Sequence, residues 1–152
     1  MFAVVLLGCL SGCAAGPETT DGGRPCPNFT LADTDGRTWR LYEALREGPT
    51  LLWMTNCCAT CQARFPFVDR LSRDHAGRLS VFAISVLGTD RDTPAELRRQ
   101  QHATFPMLLD PEDWVGRHLG FVHLGNACPV SNAILVRRDA TIAWRGHLSS
   151  AS

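Results

Sequence analysis

Apolar residues of this chain fall into short runs that polar and turn residues separate. Such runs predict strands, and apolar positions that recur at helical spacing predict helices. The predicted strands are residues 29–31, 38–40, 50–54, 79–86, 107–109, 133–137 and 141–145. The predicted helices are residues 41–46, a segment from a cysteine cluster to about residue 75, a segment that starts at residue 93, and residues 114–119. Strands that alternate with helices imply an α/β fold, in which helices cover a sheet that contains parallel strands.

The longest predicted helix follows the cysteine cluster. Its apolar positions recur at spacings of three and four residues and comprise Cys61, Phe65, Val68 and Leu71. Pro66 lies inside this helix and should bend it. In the next helix, Thr93 begins a capping box and Pro94 would be the first helical residue.

The N-terminal segment has the pattern of an export signal. Residues 2–10 form an apolar run that is too short to span a bilayer, and Leu10-Ser11-Gly12-Cys13 follows it. This tetrapeptide resembles the bacterial lipobox, whose cysteine is lipidated and becomes the mature N-terminus. We therefore expect a signal peptide at residues 1–12, a lipid-anchored tether at residues 13–24 and a domain at residues 25–152, with a buried N-terminal strand as the alternative. The domain would then be extracytoplasmic (periplasmic) and held to a bacterial membrane through Cys13.

Composition narrows the class of protein. The chain has 152 residues, a formal net charge of zero, 45% hydrophobic residues and 20% charged residues, which is an ordinary globular composition. Because it has no basic excess, we expect no nucleic-acid partner. Seven cysteines are many for this length, and an exported chain can oxidise them. Processing at Cys13 would leave five thiols, namely Cys26, Cys57, Cys58, Cys61 and Cys128.

Two of these cysteines, Cys58 and Cys61, lie where a predicted buried strand meets a predicted helix. The first turn of a helix has unpaired N–H groups and the positive end of the dipole, so a thiolate at Cys58 is favoured. The spacing puts Cys61 on the same helix face, one turn deeper and less exposed. Cys58 is therefore the candidate attacking thiol, and Cys61 would resolve the mixed disulfide.

Three segments together resemble TlpA/ResA-type thiol–disulfide oxidoreductases of the redoxin superfamily. They are LLWMTNCCATCQARFPFVDRL at residues 51–71, PCPNFTLADTDGRTWRL at residues 25–41, and Ala127-Cys128-Pro129-Val130 with the hairpin that follows it. The first resembles the family's active-site segment, the second its N-terminal hairpin and the third its cis-proline loop. The resemblance covers nearly all of the expected domain.

The resemblance implies a thioredoxin-like three-layer sandwich, whose central mixed sheet carries an N-terminal β-hairpin extension. It places Cys58 and Cys61 at the redox positions, with a cis Pro129 facing them. Pro129 and Cys128 would shape the groove that receives a substrate strand. It also implies protein thiols and disulfides as substrates, an upstream membrane thiol reductant as the electron donor, and no organic cofactor or metal. The seven residues after Arg145 are too few for the fold's final helix, which is expected to be absent.

Cys57 stands where the family usually has a tryptophan, and it is either an accessory thiol or a packing replacement. Cys57 and Cys61 have the spacing of Sco-type copper chaperones, which residues 85–100 also resemble, so a Cu(I) carrier that uses these two thiolates is one alternative. Thr55-x-x-Cys58 is part of the peroxiredoxin motif, so a peroxidase is another.

Overall fold

A computed structural model describes residues 23–121 and 132–148. Several sequence predictions concern residues outside these two ranges: the signal peptide, most of the tether, the lipidated Cys13, the groove residues Cys128 and Pro129, and the end of the chain. They stay predictions. Within the two ranges, no helix combines the length and the apolar character that crossing a bilayer requires.

Strands and helices of the described residues follow the predicted order closely. The strands are β1 (Thr30–Ala32), β2 (Thr38–Arg40), β3 (Thr50–Thr55), β4 (Ser80–Ser85), β5 (Met107–Leu109), β6 (Ala133–Val136) and β7 (Ile142–Gly146). The helices are α1 (Leu41–Glu47), α2 (Ala59–Asp74), α3 (Asp92–Gln100) and α4 (Trp114–His118). Pro66 lies inside α2, as predicted.

The central sheet has five strands in the order β5-β4-β3-β6-β7. Strand β3 pairs in parallel with β4, which pairs in parallel with β5, whereas β6 and β7 are antiparallel to their neighbours. All six residues of β3 are buried, as expected for a strand that is central in its sheet and covered on both faces. The prediction of a mixed α/β sheet is confirmed.

Alternation along β3 sends its side chains into two separate cores. Leu52 and Met54 pack in a core with residues of α1 and α4, while Leu51 and Trp53 pack in a core with residues of α2 and α3. The second core contains an aromatic contact in which the ring centroids of Trp53 and Phe65 lie 5.1 Å apart, edge to face. Helices on both sides of one sheet give the predicted three layers.

Strands β1 and β2 form the predicted hairpin extension. Asp33 in its turn is buried, and its carboxylate accepts hydrogen bonds from the backbone N–H of Arg37 (2.8 Å) and the indole N–H of Trp39 (2.8 Å). The hairpin joins the central sheet through a hydrogen bond from the N–H of Thr34 to the carbonyl of Met107 (3.0 Å). These contacts fix the extension beside β5.

The predicted start of α3 was wrong by two residues. The helix begins at Asp92, and Pro94 is its third residue rather than its first. The capping group is the carboxylate of Asp90, which accepts a hydrogen bond from the N–H of Thr93 (3.0 Å). An aspartate upstream satisfies the same N-terminal donors as a capping threonine, and the sequence contains both residues.

Candidate active site

The loop between β3 and α2 is shaped by polar side chains that bond to backbone groups. The Thr55 hydroxyl accepts a hydrogen bond from the N–H of Cys57 (3.1 Å), and the Asn56 amide oxygen accepts one from the N–H of Cys58 (3.2 Å). The Gln62 side chain donates to the carbonyl of Cys57 (2.9 Å). These three bonds replace strand pairing where β3 ends, because Ser, Thr and Asn side chains readily imitate a backbone turn.

Cys58 is the N-cap residue of α2, with extended dihedral angles of φ −67° and ψ 169°. Its carbonyl accepts the hydrogen bond from the N–H of Gln62 (2.8 Å), and its side chain is half-buried. No acidic residue lies in the first helical turn to offset the positive end of the helix dipole. The predicted position of Cys58 at the start of the helix is therefore confirmed.

Cys61 lies one turn along α2, and only 4% of its surface is exposed. Its thiol donates a hydrogen bond to the Asn56 amide oxygen (3.4 Å). Burial raises the pKa of the Cys61 thiol above its usual value, although the hydrogen bond from the Thr55 hydroxyl opposes this shift. The expectation that Cys61 is the deeper and less exposed member of the pair is confirmed.

Cys57 precedes the pair and points into the core on the α2 side of the sheet. Its φ of +59° is left-handed, and its side chain is 6% exposed. Burial, reinforced by the nearby Cys61, raises the pKa of Cys57 to about 11. This burial supports the packing interpretation of Cys57. The alternative role of Cys57 as an accessory thiol stays a prediction.

Cys26, the remaining described cysteine, has the surroundings of a packing residue. It is fully buried in the core with residues of α1 and α4. Burial raises its pKa to about 11, so its thiol is a weak nucleophile at neutral pH.

The copper alternative receives no support from the described side chains. Within residues 23–121 and 132–148, no three His, Cys, Asp or Glu residues converge so that they could hold a metal ion. Cys57 and Cys61 would therefore have no third ligand in that part of the chain. In the peroxidase alternative the Thr55 hydroxyl would act on Cys58, whereas in the structure it accepts a hydrogen bond from the backbone N–H of Cys57 (3.1 Å).

Sequence reasoning missed two residues that position the thiols. Asn56 holds both the N–H of Cys58 and the thiol of Cys61, and Gln62 fixes the carbonyl of Cys57. The available signal was the polar pair of Thr55 and Asn56 directly after an apolar strand, which is typical of a turn.

The chain is similar to curated thiol–disulfide oxidoreductases. The chain is 25% identical over 99 residues to the thiol–disulfide oxidoreductase ResA of Bacillus subtilis, a match that covers 64% of this chain and 55% of that protein. The chain spans about half the length of the curated relatives it matches. The expected resemblance to ResA-type proteins is confirmed.

Two solved structures share the fold. A putative thiol:disulfide interchange protein DsbE from Chlorobium tepidum superposes with a TM-score of 0.68 at 19% identity, covering 85% of this chain and 86% of that one. Peroxidoxin BcpB from Mycobacterium tuberculosis gives a TM-score of 0.65 at 24% identity, covering 79% of this chain and 80% of that one. Both confirm a thioredoxin-like fold. The model of the AhpC/TSA family matches residues 23–145, from before the hairpin extension to the last strand, and the chain therefore belongs to the AhpC/TSA family.

Proposed function

We propose that the protein is a thiol–disulfide oxidoreductase that acts on protein cysteines through Cys58 and Cys61. The observation that carries this proposal is the half-buried Cys58 at the N-terminus of α2, with the buried Cys61 one turn further along the same helix. The N-terminus of the helix favours a thiolate at Cys58, while Cys61 lies deeper and is shielded from solvent. The ResA relative is named as a thiol–disulfide oxidoreductase, which agrees with this assignment.

The geometry gives each thiol a separate step. The Cys58 thiolate attacks a client disulfide, a mixed disulfide forms, and one client sulfur leaves as a thiolate. Cys61 then loses its proton and attacks the Cys58 sulfur, so the second client sulfur leaves and the Cys58–Cys61 disulfide forms. Two electrons pass to the client, and an external thiol reductant restores the pair.

Asn56 and Thr55 act on the timing of the second step. Burial keeps the Cys61 thiol protonated, and the Asn56 side-chain oxygen accepts the hydrogen bond of that thiol. The Asn56 backbone acts in the opposite direction and lowers the pKa of Cys61. The Thr55 hydroxyl can donate, so it stabilises the Cys61 thiolate once the proton has left. We therefore expect Cys61 to remain a thiol until Cys58 has formed the mixed disulfide.

The surroundings of this reaction belong to the proposal as well. A lipid on Cys13 would hold the domain to a bacterial membrane on its extracytoplasmic side, where client proteins have disulfides. Pro129 and Cys128 would line the groove for the client strand, and a membrane thiol reductant would supply electrons. The proposal requires no metal or organic cofactor.

The direct test is reduction of insulin disulfides by the full chain with dithiothreitol as the electron source. Cys58→Ser should abolish catalysed reduction, and Cys61→Ser should accumulate a mixed disulfide that gel electrophoresis without reductant detects. Cys26→Ala is the matched control, because it removes a buried thiol from the other core and should leave the rate unchanged. Full activity in Cys58→Ser would overturn the proposal.

A further inference from the structure

Cys57 is a third thiol beside the reactive pair, and the proposed reaction does not use it. Its side chain packs in the same core as Cys61, and Cys58 packs against that core from a half-buried position. All three of these cysteines are present as thiols in the structure. A buried thiol next to a disulfide-forming pair can enter the exchange if its sulfur reaches one member of that pair.

The packing of the three thiols indicates which member Cys57 can reach. Cys57 and Cys61 are both buried in the core on the α2 side of the sheet, whereas Cys58 is only half-buried against that core. Cys61 is also the charged neighbour that affects Cys57 most, ahead of Cys58. Cys61 is therefore the sulfur that Cys57 is placed to attack.

The backbone around these thiols suits a bond between them. Cys57 directly precedes the N-cap of α2, Cys61 lies in the first turn, and the side chain of Gln62 ties the carbonyl of Cys57 to that turn. A groove of about 350 Å³ between α2 and α3 is lined by Cys57 together with Gln62 and Leu97. Cys57 therefore has open space beside it in which its side chain can change rotamer.

We propose that Cys57 is a third redox thiol, which exchanges with the Cys58–Cys61 disulfide to form Cys57–Cys61 and release Cys58. This inference rests on the proposed function, because that reaction supplies the Cys58–Cys61 disulfide. Cys57 gives its proton to water, its thiolate bonds to the Cys61 sulfur, the Cys58–Cys61 bond breaks, and Cys58 leaves as a thiolate. No electrons enter or leave the protein.

The exchange would give Cys58 a new role. While the Cys57–Cys61 bond stores the oxidation, Cys58 is again a nucleophile at the helix N-terminus, without its resolving partner. A mixed disulfide on Cys58 could then be released only by another thiol of the client, which is the chemistry of disulfide rearrangement. The protein would thus both reduce and rearrange client disulfides.

The experiment uses the full-length Cys58→Ser variant, which is equilibrated with reduced and oxidised glutathione, acid-quenched, unfolded in urea, alkylated and mapped by mass spectrometry. A Cys57–Cys61 disulfide should form, and alkylation of both residues should fall roughly tenfold against the reduced protein. The double variant Cys57→Ser/Cys58→Ser is the matched control, in which Cys61 should form only a mixed disulfide with glutathione. Glutathione adducts alone in Cys58→Ser, or a bond from Cys57 to another cysteine, would overturn the inference.

Two further measurements keep the result decisive. Cys58→Ala, checked by circular dichroism, repeats the test if serine disturbs the fold. In the oxidised wild-type chain, alkylation should label Cys58 in one population and Cys57 in another, and label on Cys57 alone would rule out the exchange. Insulin reduction by the wild-type protein tests the proposed function separately from the exchange. If the wild type does not reduce insulin, the proposed function is refuted, while the mapped Cys57–Cys61 disulfide is unaffected.

Discussion

The adjacent thiols of Cys57 and Cys58 should differ sharply in reactivity, because the fold buries one and leaves the other half-exposed. In the experiment, the reduced protein is exposed to a pulse of iodoacetamide at pH 7.5, in one sample folded and in a second sample unfolded in urea. Each cysteine then serves as its own reference, since unfolding restores an ordinary thiol. Cys26 provides a second buried thiol with no proposed role.

The expected magnitude follows from the thiolate population. Burial raises the pKa of Cys57 and of Cys26 from 9.0 to about 11. At pH 7.5 both values lie far above the pH, so a shift of this size lowers the thiolate fraction about a hundredfold. Since the thiolate is the nucleophile, alkylation of both residues should slow by about a hundredfold or more on folding. The half-buried Cys58 should show much weaker protection.

The assay is tandem mass spectrometry with isotopically distinct alkylating reagents, which requires fragmentation between the neighbouring Cys57 and Cys58. If Cys57 in the folded protein reacts within about tenfold of its unfolded rate while Cys26 stays protected, the reasoning is refuted. Slow reaction with an external reagent is compatible with exchange inside the protein. A neighbouring sulfur acts at an effective concentration that no dissolved reagent reaches.

Two other predictions concern stability. Asp110→Ala should lower the free energy of unfolding by about 3 kcal/mol in a urea titration, because three backbone N–H groups, those of Trp114, Val115 and Gly116, would lose the buried carboxylate that accepts their hydrogen bonds. The control Asp90→Ala removes an exposed cap and should lower the free energy of unfolding far less, so equal losses would contradict this account. The raised pKa of Cys26 makes the folded state hold a proton that the unfolded state releases above pH 9. The contribution of Cys26 to the free energy of unfolding is therefore intact below pH 9, and about 2 to 3 kcal/mol of it is lost as the pH rises towards about 11. Urea titrations of Cys26→Ala over this pH range should lack that part of the loss.

Much of this fold could be predicted from short-range patterns. The start of β3 agrees with its apolar run, because a central strand is buried along its whole length. The limits of β2 and β5, which are not central strands, also agree with the prediction. The start of α3 was misplaced because Asp90 and Thr93 are both good capping residues within one turn, and only their placement in space decides between them.

The positions of Cys58 and Cys61 at the start of α2 could be predicted, but the residues that hold them could not. These positions followed from the spacing of the two cysteines and from the strand before them, which are local properties. The proposed roles of the two thiols stay predictions. The contact of Asn56 with the Cys61 thiol depends on how the loop folds back over the first helical turn. The pKa of Cys57 depends on burial by residues distant in sequence, which no local pattern contains.

The backbone at Cys57 bears on why a thiol stands at this position. Its φ of +59° is a conformation that costs a residue with a Cβ about 1 kcal/mol or more, and that glycine would adopt without penalty. The buried side chain offsets this cost only in part, because a thiol contributes less apolar area than the large side chains around it. Strain of this kind is concentrated at functional sites, where neighbouring contacts hold it in place. Here the Thr55 hydroxyl and the Gln62 amide hold the strained residue by its N–H and its carbonyl, in the same core as the Cys61 sulfur that it would attack in the Cys58–Cys61 disulfide.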